Sequence, residues 1–316
     1  GNLYAYVLER EKYIVSKEGV VGNIIPVSIM STPGYVSLRK MMYSMGINYY
    51  SSFNIHPCCL FEGVHPRLSI LINRLSETKK VLLSKYHKWG SKERKSLFQT
   101  ISYCEAAEEL VIENIKRAFP KAMSNTAISI LNKMLSQKVC IGSFSHRNTG
   151  IEFYYRRAFG AFILFYDQKP LMYDENLSLI DPTELKTIRF NNKYRDVILP
   201  IYHSSLFYLY TYMYSDCRNM NKPEIFDFRI DLSGLSSNTT KELTSLGKRL
   251  SHDLQANSRF LEYNYSSGWR KFQAFYPRES KPIIDEIDKL LAKHYGFTEE
   301  ELDFIINYDI KYRMGD

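Results

Sequence analysis

A nearly unbroken apolar run, Val20-Val21-Gly22-Asn23-Ile24-Ile25-Pro26-Val27-Ser28-Ile29-Met30, most tightly limits what this chain can fold into. It does not alternate between apolar and polar, so it predicts a strand buried on both faces, as in a parallel sheet covered by helices. Pro26 sits awkwardly within it, because proline removes a ladder hydrogen bond. Before it, Leu3, Val7, Leu8, Ile14 and Val15 fall roughly on one helical face, and Gly19 ends that helix. After the turn Ser31-Thr32-Pro33-Gly34, Tyr35 to Met45 predicts a second helix with Val36, Leu38, Met41 and Met42 available for burial. Gly46 closes it, and Ile47–Phe53 and Leu68–Ile72 read as two more strands. A fragment of this size cannot bury both faces of its sheet alone. Another surface must cover it.

With 316 residues the chain is long enough for two domains, and 45% hydrophobic with 24% charged residues reads as an ordinary soluble protein. No run of 18 apolar residues and no basic leader is present, which predicts no membrane association and a cytoplasmic location. The five cysteines lack zinc-type spacing and read as reduced thiols. Charge is uneven along the chain. Residues 1–75 carry 7 Lys and Arg against 4 Asp and Glu, residues 76–160 carry 15 against 7, and residues 161–316 carry 20 against 23. A clustered basic excess favours polyphosphate, although a solvated helix face would look the same.

The order helix, strand, helix, strand, then Leu60-Phe61-Glu62-Gly63-Val64-His65-Pro66-Arg67-Leu68-Ser69-Ile70, resembles the late half of the catalytic domain of adenine-N6 DNA methyltransferases from restriction–modification systems. The resemblance covers residues 2–75. It implies the end of a doubly wound sheet closed by an antiparallel strand. In that family the upstream segment carries the S-adenosylmethionine loop and an Asn-Pro-Pro-Tyr motif; neither is in this chain. The expectation is therefore a fragment with no catalytic residue and no bound cofactor. Its missing N-terminal half would be a partner and would bind S-adenosylmethionine in the parent enzyme. The family's base-stacking aromatic would fall near Asn73 or Arg74, neither of which is aromatic; Phe53 and Phe61 lie within reach in sequence but read as core.

Three islands combine basic and aromatic residues, the types that contact phosphate and stack on bases. The first carries Lys85, Tyr86, Lys88, Trp89 and Lys92; its alternative is an amphipathic connector anchored by Trp89. The second carries Arg147, Asn148 and Arg156, with side chains suited to guanine and adenine edges. The third follows a helix predicted over Ser204–Tyr212 and places Arg218, Asn219 and Lys222 in a polar loop before a strand over Phe226–Ile230. Helix, polar loop and short apolar exit resemble target-recognition domains of these methyltransferases and of type I specificity subunits. The alternative is a helix closed by a hydrophilic turn. Trp269-Arg270-Lys271-Phe272 adds Arg270 and Lys271 as candidate phosphate contacts.

Between the islands, Ile112 to Leu135 reads helical. Lys241–Ala256 predicts a helix with Leu243, Leu246, Leu250 and Leu254 on one face, and Ile283–His294 another, ended by Gly296. Thr298 followed by Glu299-Glu300-Glu301 reads as a helix start. From residue 283 onward 9 acids face 4 bases, so this end should avoid phosphate. The seven histidines have no i,i+4 pair, and no dinucleotide fingerprint, phosphate loop or hydrolase elbow occurs; no metal site is expected.

The fold expected is α/β plus α+β: a partial doubly wound methyltransferase sheet in residues 1–75, a mixed DNA target-recognition domain in 76–280, and an acidic helical segment in 281–316. The function expected is double-stranded DNA recognition for a site-specific adenine methyltransferase. A stand-alone specificity subunit is the rival reading, and a soluble α/β domain with a basic helix is the non-DNA one. The half-sheet favours the first, since a specificity subunit has no use for it.

Overall fold

The computed structural model describes residues 2–106, 118–121, 124–146 and 148–315. Two compact units emerge: residues 1–132 with 211–217, and residues 133–210 with 218–316. The expected boundaries near 75 and 280 fall inside these units.

The first unit holds a five-stranded sheet in the order β1-β3-β2-β4-β5, from β1 (Val20–Pro26), β2 (Gly46–Phe53), β3 (Leu68–Leu75), β4 (Lys80–His87) and β5 (Cys104–Glu105). β3 runs antiparallel to both β1 and β2, whereas β4 runs parallel to β2. The sheet thus continues past residue 75, because Val81, Leu83 and Tyr86 turn inward between the lysines of the basic stretch. Pro26 ends β1, paired with Leu68, so its missing N–H falls at the strand terminus. The apolar run does not continue as strand: Ser28–Ser31 forms a short helical turn, α2.

Helices α1 (Leu3–Ile14) and α3 (Val36–Met45) pack on one sheet face, where Leu8, Ile25, Met42, Tyr50, Leu71 and Leu83 form a core. Buried Arg39 donates to the Ile29 and Thr32 carbonyls at 2.8 and 2.9 Å, satisfying the end of α2. Register puts Val20, Gly22, Ile24 and Pro26 on the opposite face, beside Arg74, Ile72, Ile70 and Leu68. Among the described residues that face is covered at one end only, by a second core of Phe53, Leu60, Leu68, Trp89 and Leu97. At its other end Val20 is 62% exposed and Ile24 51%. On α1 only Leu8 of the expected apolar face is buried, while Leu3, Val7 and Ile14 are exposed together with Tyr6 and Tyr13.

The second unit contains two three-stranded sheets, β7-β6-β9 and β10-β11-β8. The first uses β6 (Ile151–Arg156), β7 (Phe165–Tyr166) and β9 (Leu185–Phe190); the second β8 (Met172–Tyr173), β10 (Arg259–Tyr265) and β11 (Gly268–Ala274). Helix α4 (Asn125–Ser136) and the helix α6 (Ser205–Tyr214) each pass from one unit into the other along the chain. The expected helix over 112–135 is described only from Asn125 onward, the residues before it lying largely outside the described set.

In the second unit α5 (Arg195–His203), α8 (Ser237–Ala256) and α9 (Lys281–Tyr295) pack together. Leu243, Leu246, Leu250 and Leu254 are buried as their spacing requires. Gly296 ends α9 in the left-handed conformation, φ 68°. Thr298 and Glu301 form a capping box opening α10 (Glu299–Asn307), and α11 (Ile310–Met314) follows. The acidic end is not a separate segment. Asp288, buried on α9, accepts the Ser205 and Leu206 amides at 3.1 Å each, capping α6. Arg313 lies between the Phe162 and Tyr208 rings, 4.6 and 4.5 Å from their centroids.

Candidate nucleic-acid interface

The first island lies in the first unit, and only part of it faces solvent. Lys85 and Lys92 are exposed, and Lys88 sits 4.2 Å over the Tyr212 ring. Tyr86 and Trp89 are buried, at 4% and 2% exposure, so neither is open to stack on a base. Trp89 instead packs edge-on against Phe53 in the second core, because β4 carries it straight beneath the sheet. Phe53 is wholly buried and Phe61 is exposed. Beside Lys85, His87 is buried, stacks on Phe53 and shares a 3.0 Å hydrogen bond with Ser84. Burial first, and the Lys85 charge second, push its pKa down to about 4.

The second and third islands meet in the second unit. Residues 157–159, leaving β6, run beside residues 218–220 as a short antiparallel bridge centred on Ala158 and Asn219. The Phe159 amide donates to the Arg218 carbonyl at 3.2 Å, and the Met220 amide to the Arg157 carbonyl at 2.7 Å. Buried Met220 anchors the loop from below. Arg156, Arg157, Arg218 and Lys222 are all exposed around this bridge, and Asn219 is half-buried. Four cations thus gather at one edge. Strand alternation does not extend to Arg157, since β6 ends at Arg156 and the chain bends.

The expected strand over 226–230 does not form: Phe226 ends a short helix, α7 (Lys222–Phe226), and beyond it Arg229 pairs in an isolated antiparallel bridge with Cys140. Asn221 and Glu224 form its capping box, with the Asn221 amide donating to Glu224 Oε2 at 2.8 Å, and Pro223 fixes its first turn. That Asn-x-x-Glu spacing was legible in the sequence. Lys222 therefore projects from a helical first turn.

Asn148 is exposed in the bend before β6, while Arg147 lies outside the described residues. Gly150 in that bend has φ 101°, and a Cβ there would lie 2.2 Å from the Phe190 carbonyl oxygen. The six-residue strand β6, roughly 20 Å long, separates Asn148 from the Arg156 edge. One base step cannot engage both. Between them Glu152 pairs with Arg189 and accepts the Tyr154 hydroxyl at 2.8 Å; these bonds, Tyr154 first, hold its carboxyl below the usual range.

Arg270 and Lys271 are adjacent on β11 and so point to opposite faces. Lys271 is neutralised by Glu262 at 3.2 Å. Arg270 donates to the Trp269 and Ser267 carbonyls at 2.7 and 3.0 Å. Sequence reasoning passed over their neighbours on β10, Phe260, Leu261, Tyr263 and Tyr265, all exposed. Two β-prone runs around Ser266-Ser267-Gly268 were the available signal.

Among the described residues no group of three His, Cys, Asp or Glu side chains could hold a metal ion. No described helix is long and apolar enough to cross a membrane. No protein-family model and no curated protein matches the sequence. Solved structures that match include that of the type IIG restriction endonuclease BpuSI, with 9% identity over 96% of this chain and 49% of that one, TM-score 0.33. A cryo-electron-microscopy structure of a DrdV–DNA complex matches with 8% identity over 97% of this chain and 52% of that one, TM-score 0.35. The chain spans about half the length of the structures it matches.

Proposed function

We propose that this chain is the DNA-reading portion of a site-specific adenine-N6 DNA methyltransferase of a restriction–modification system. The observation that carries this reading is the bridge between residues 157–159 and 218–220, around which Arg156, Arg157, Arg218 and Lys222 gather. Exposed guanidinium and ammonium groups on a backbone-fixed edge suit phosphate, and half-buried Asn219 supplies an amide of the type that reads adenine. The antiparallel placement of β3 against both β1 and β2 supports the methyltransferase half-sheet, as does the uncovered face at Val20 and Ile24. More sheet, added beside β1 from the half of the domain that binds S-adenosylmethionine, is the proposed cover.

The test is titration of duplex DNA at rising salt, where affinity should fall steeply; absence of binding at low salt refutes the reading. The cofactor belongs to the missing half. Calorimetry of this chain with S-adenosylmethionine should give no saturable heat, and a micromolar dissociation constant would overturn that assignment.

A further inference from the structure

We infer that the hairpin β10–β11 holds an unpaired nucleotide base of DNA against Tyr263 and Tyr265. The inference rests on the DNA-binding reading above and adds to it a second, chemically different contact.

All seven residues of β10 are exposed, although four of them are large and apolar or aromatic. Strand alternation and cross-strand register sort the hairpin into two faces. On one, Phe260, Glu262 and Asn264 lie opposite Gln273, Lys271 and Trp269. That face is internally compensated: Lys271 pairs with Glu262, and Phe260 lies 6.1 Å from the Tyr173 ring.

The other face is not. Arg259, Leu261, Tyr263 and Tyr265 lie opposite Ala274, Phe272, Arg270 and Gly268. Tyr263 is 60% exposed and Tyr265 47%, with ring centroids 4.9 Å apart and planes tilted by 46°, so the rings are splayed and not stacked on one another. Arg270, directly across from Tyr263, is tethered at the turn by its bonds to the Trp269 and Ser267 carbonyls. Arg259 lies 5.1 Å over the Tyr276 ring. Glu175 approaches the turn beside Gly268, yet neither Arg259 nor Arg270 makes an ion pair among the described residues. The strand residues of this face therefore present two cations and no acid.

That pairing of chemistry selects the occupant. Splayed phenol rings offer π-surfaces, and fixed guanidinium groups offer charge to an anionic backbone beside them. A base with its phosphate supplies both at once, whereas an apolar peptide would leave the arginines unmatched. The two-residue loop Ser266-Ser267 keeps the hairpin narrow, and a two-stranded ribbon fits a major groove about 12 Å wide. Tyrosines at such a tip can hold a base already out of the stack.

The experiment measures affinity of the full chain for a perfect duplex and for the same duplex with a single-nucleotide bulge. Wild type, Tyr263→Ala/Tyr265→Ala and Tyr263→Phe/Tyr265→Phe are compared. Wild type should prefer the bulged duplex by roughly tenfold or more, as expected for base–aromatic stacking. The alanine pair should lose that preference while retaining affinity for the perfect duplex, and the phenylalanine pair should keep it. Equal preference in wild type and the alanine pair, or no preference in wild type, overturns the inference alone. Failure of wild type to bind either duplex overturns the DNA-binding reading with it. A dimer of wild type that the alanine pair abolishes in sedimentation without DNA would make this face a self-association surface and also overturn the inference.

Discussion

Replacing Arg156 and Arg218 together by alanine tests the bridged edge most directly, because both side chains are exposed and their backbones are held by bonds the substitution does not touch. Each phosphate neutralised contributes roughly 0.9 to the slope of log affinity against log salt. Four cations at that edge then give a slope of about −3.6, a fall of about 150-fold in affinity between 50 and 200 mM salt. With two removed, the slope becomes about −1.8 and the fall about 12-fold. Cations elsewhere, Lys85 and Lys92 among them, add equally to both slopes, so the difference of about 1.8 is the quantity to read. Fluorescence anisotropy of a labelled duplex across a salt series measures it. Lys271→Ala is the control: its charge is compensated by Glu262, so the slope should barely move. An unchanged slope in the double variant, or lost affinity at an unchanged slope, would refute the assignment of phosphate contact to this edge.

Two buried groups in the second unit should give opposite pH responses. His203, buried against the Phe165 carbonyl at 2.8 Å, has its pKa pushed down to about 4 by burial, so its contribution is complete above 6.5 and lost as pH falls toward 4. Wild type should therefore lose about 2 kcal/mol more than His203→Gln between pH 7.5 and 5 in urea unfolding; parallel pH dependences would sink this. Burial pushes Asp288 up to about 6, so its stabilisation is present below 3.8 and lost as pH rises through 6. Asp288→Asn should remove a gain of about 1 kcal/mol on going from pH 7.5 to 5, the opposite sign, and a same-sign effect would contradict the burial argument. Gly150→Ala should cost about 1–3 kcal/mol, since φ is 101° and the new Cβ would meet the Phe190 carbonyl; a urea midpoint within error of wild type would show that this bend relaxes freely.

Periodicity made the long helices legible. Leu243, Leu246, Leu250 and Leu254 repeat on one side of α8, and Thr298 with Glu301 marks the start of α10 in the sequence itself. The strands β2 and β3 were legible for a similar reason, as apolar runs between turn residues. β4 was not, because Lys80 and Lys85 lie among its inward residues and a basic stretch reads first as surface. The aromatic-plus-basic signal fails at Trp89 because a ring beside lysines is equally the pattern of a core anchor whose neighbours stay in water; only the path of β4 decides it. At Arg156 and Arg218 the same signal falls on exposed residues, whose adjacency depends on a bridge between segments some sixty residues apart, which no local pattern encodes. At Asn221 the information was local, since Asn221 and Glu224 stand at capping-box spacing where α7 begins.

Burial on the open face of the first sheet follows a gradient that bears on what completes it. Along β3 the residues of that face pass from buried Leu68 through half-buried Ile70 to exposed Ile72 and Arg74, and β1 mirrors this from Pro26 to Val20. The covered end is the one over which the Trp89 core lies. Among the described residues β1 pairs only with β3, so its outer row of N–H and C=O groups has no strand beside it. Edge strands are ordinarily blunted by lysine, inward charge or a bulge, because an open ladder templates further pairing. Val20-Val21-Gly22-Asn23-Ile24-Ile25 has none of these, and its one proline sits at the terminus. On α1 an apolar stripe of Leu3, Tyr6, Val7, Tyr13 and Ile14 is likewise left in solvent. An unguarded edge, a half-bare sheet face and a bare helix stripe all occur in the same unit, and additional strands with their own helices would cover all three at once. A flexible loop would cover the face but leave the ladder open, and a single docked helix would do no better. The open ladder of β1 is the feature that the cover of more sheet proposed above would satisfy and that a loop or a lone helix would not.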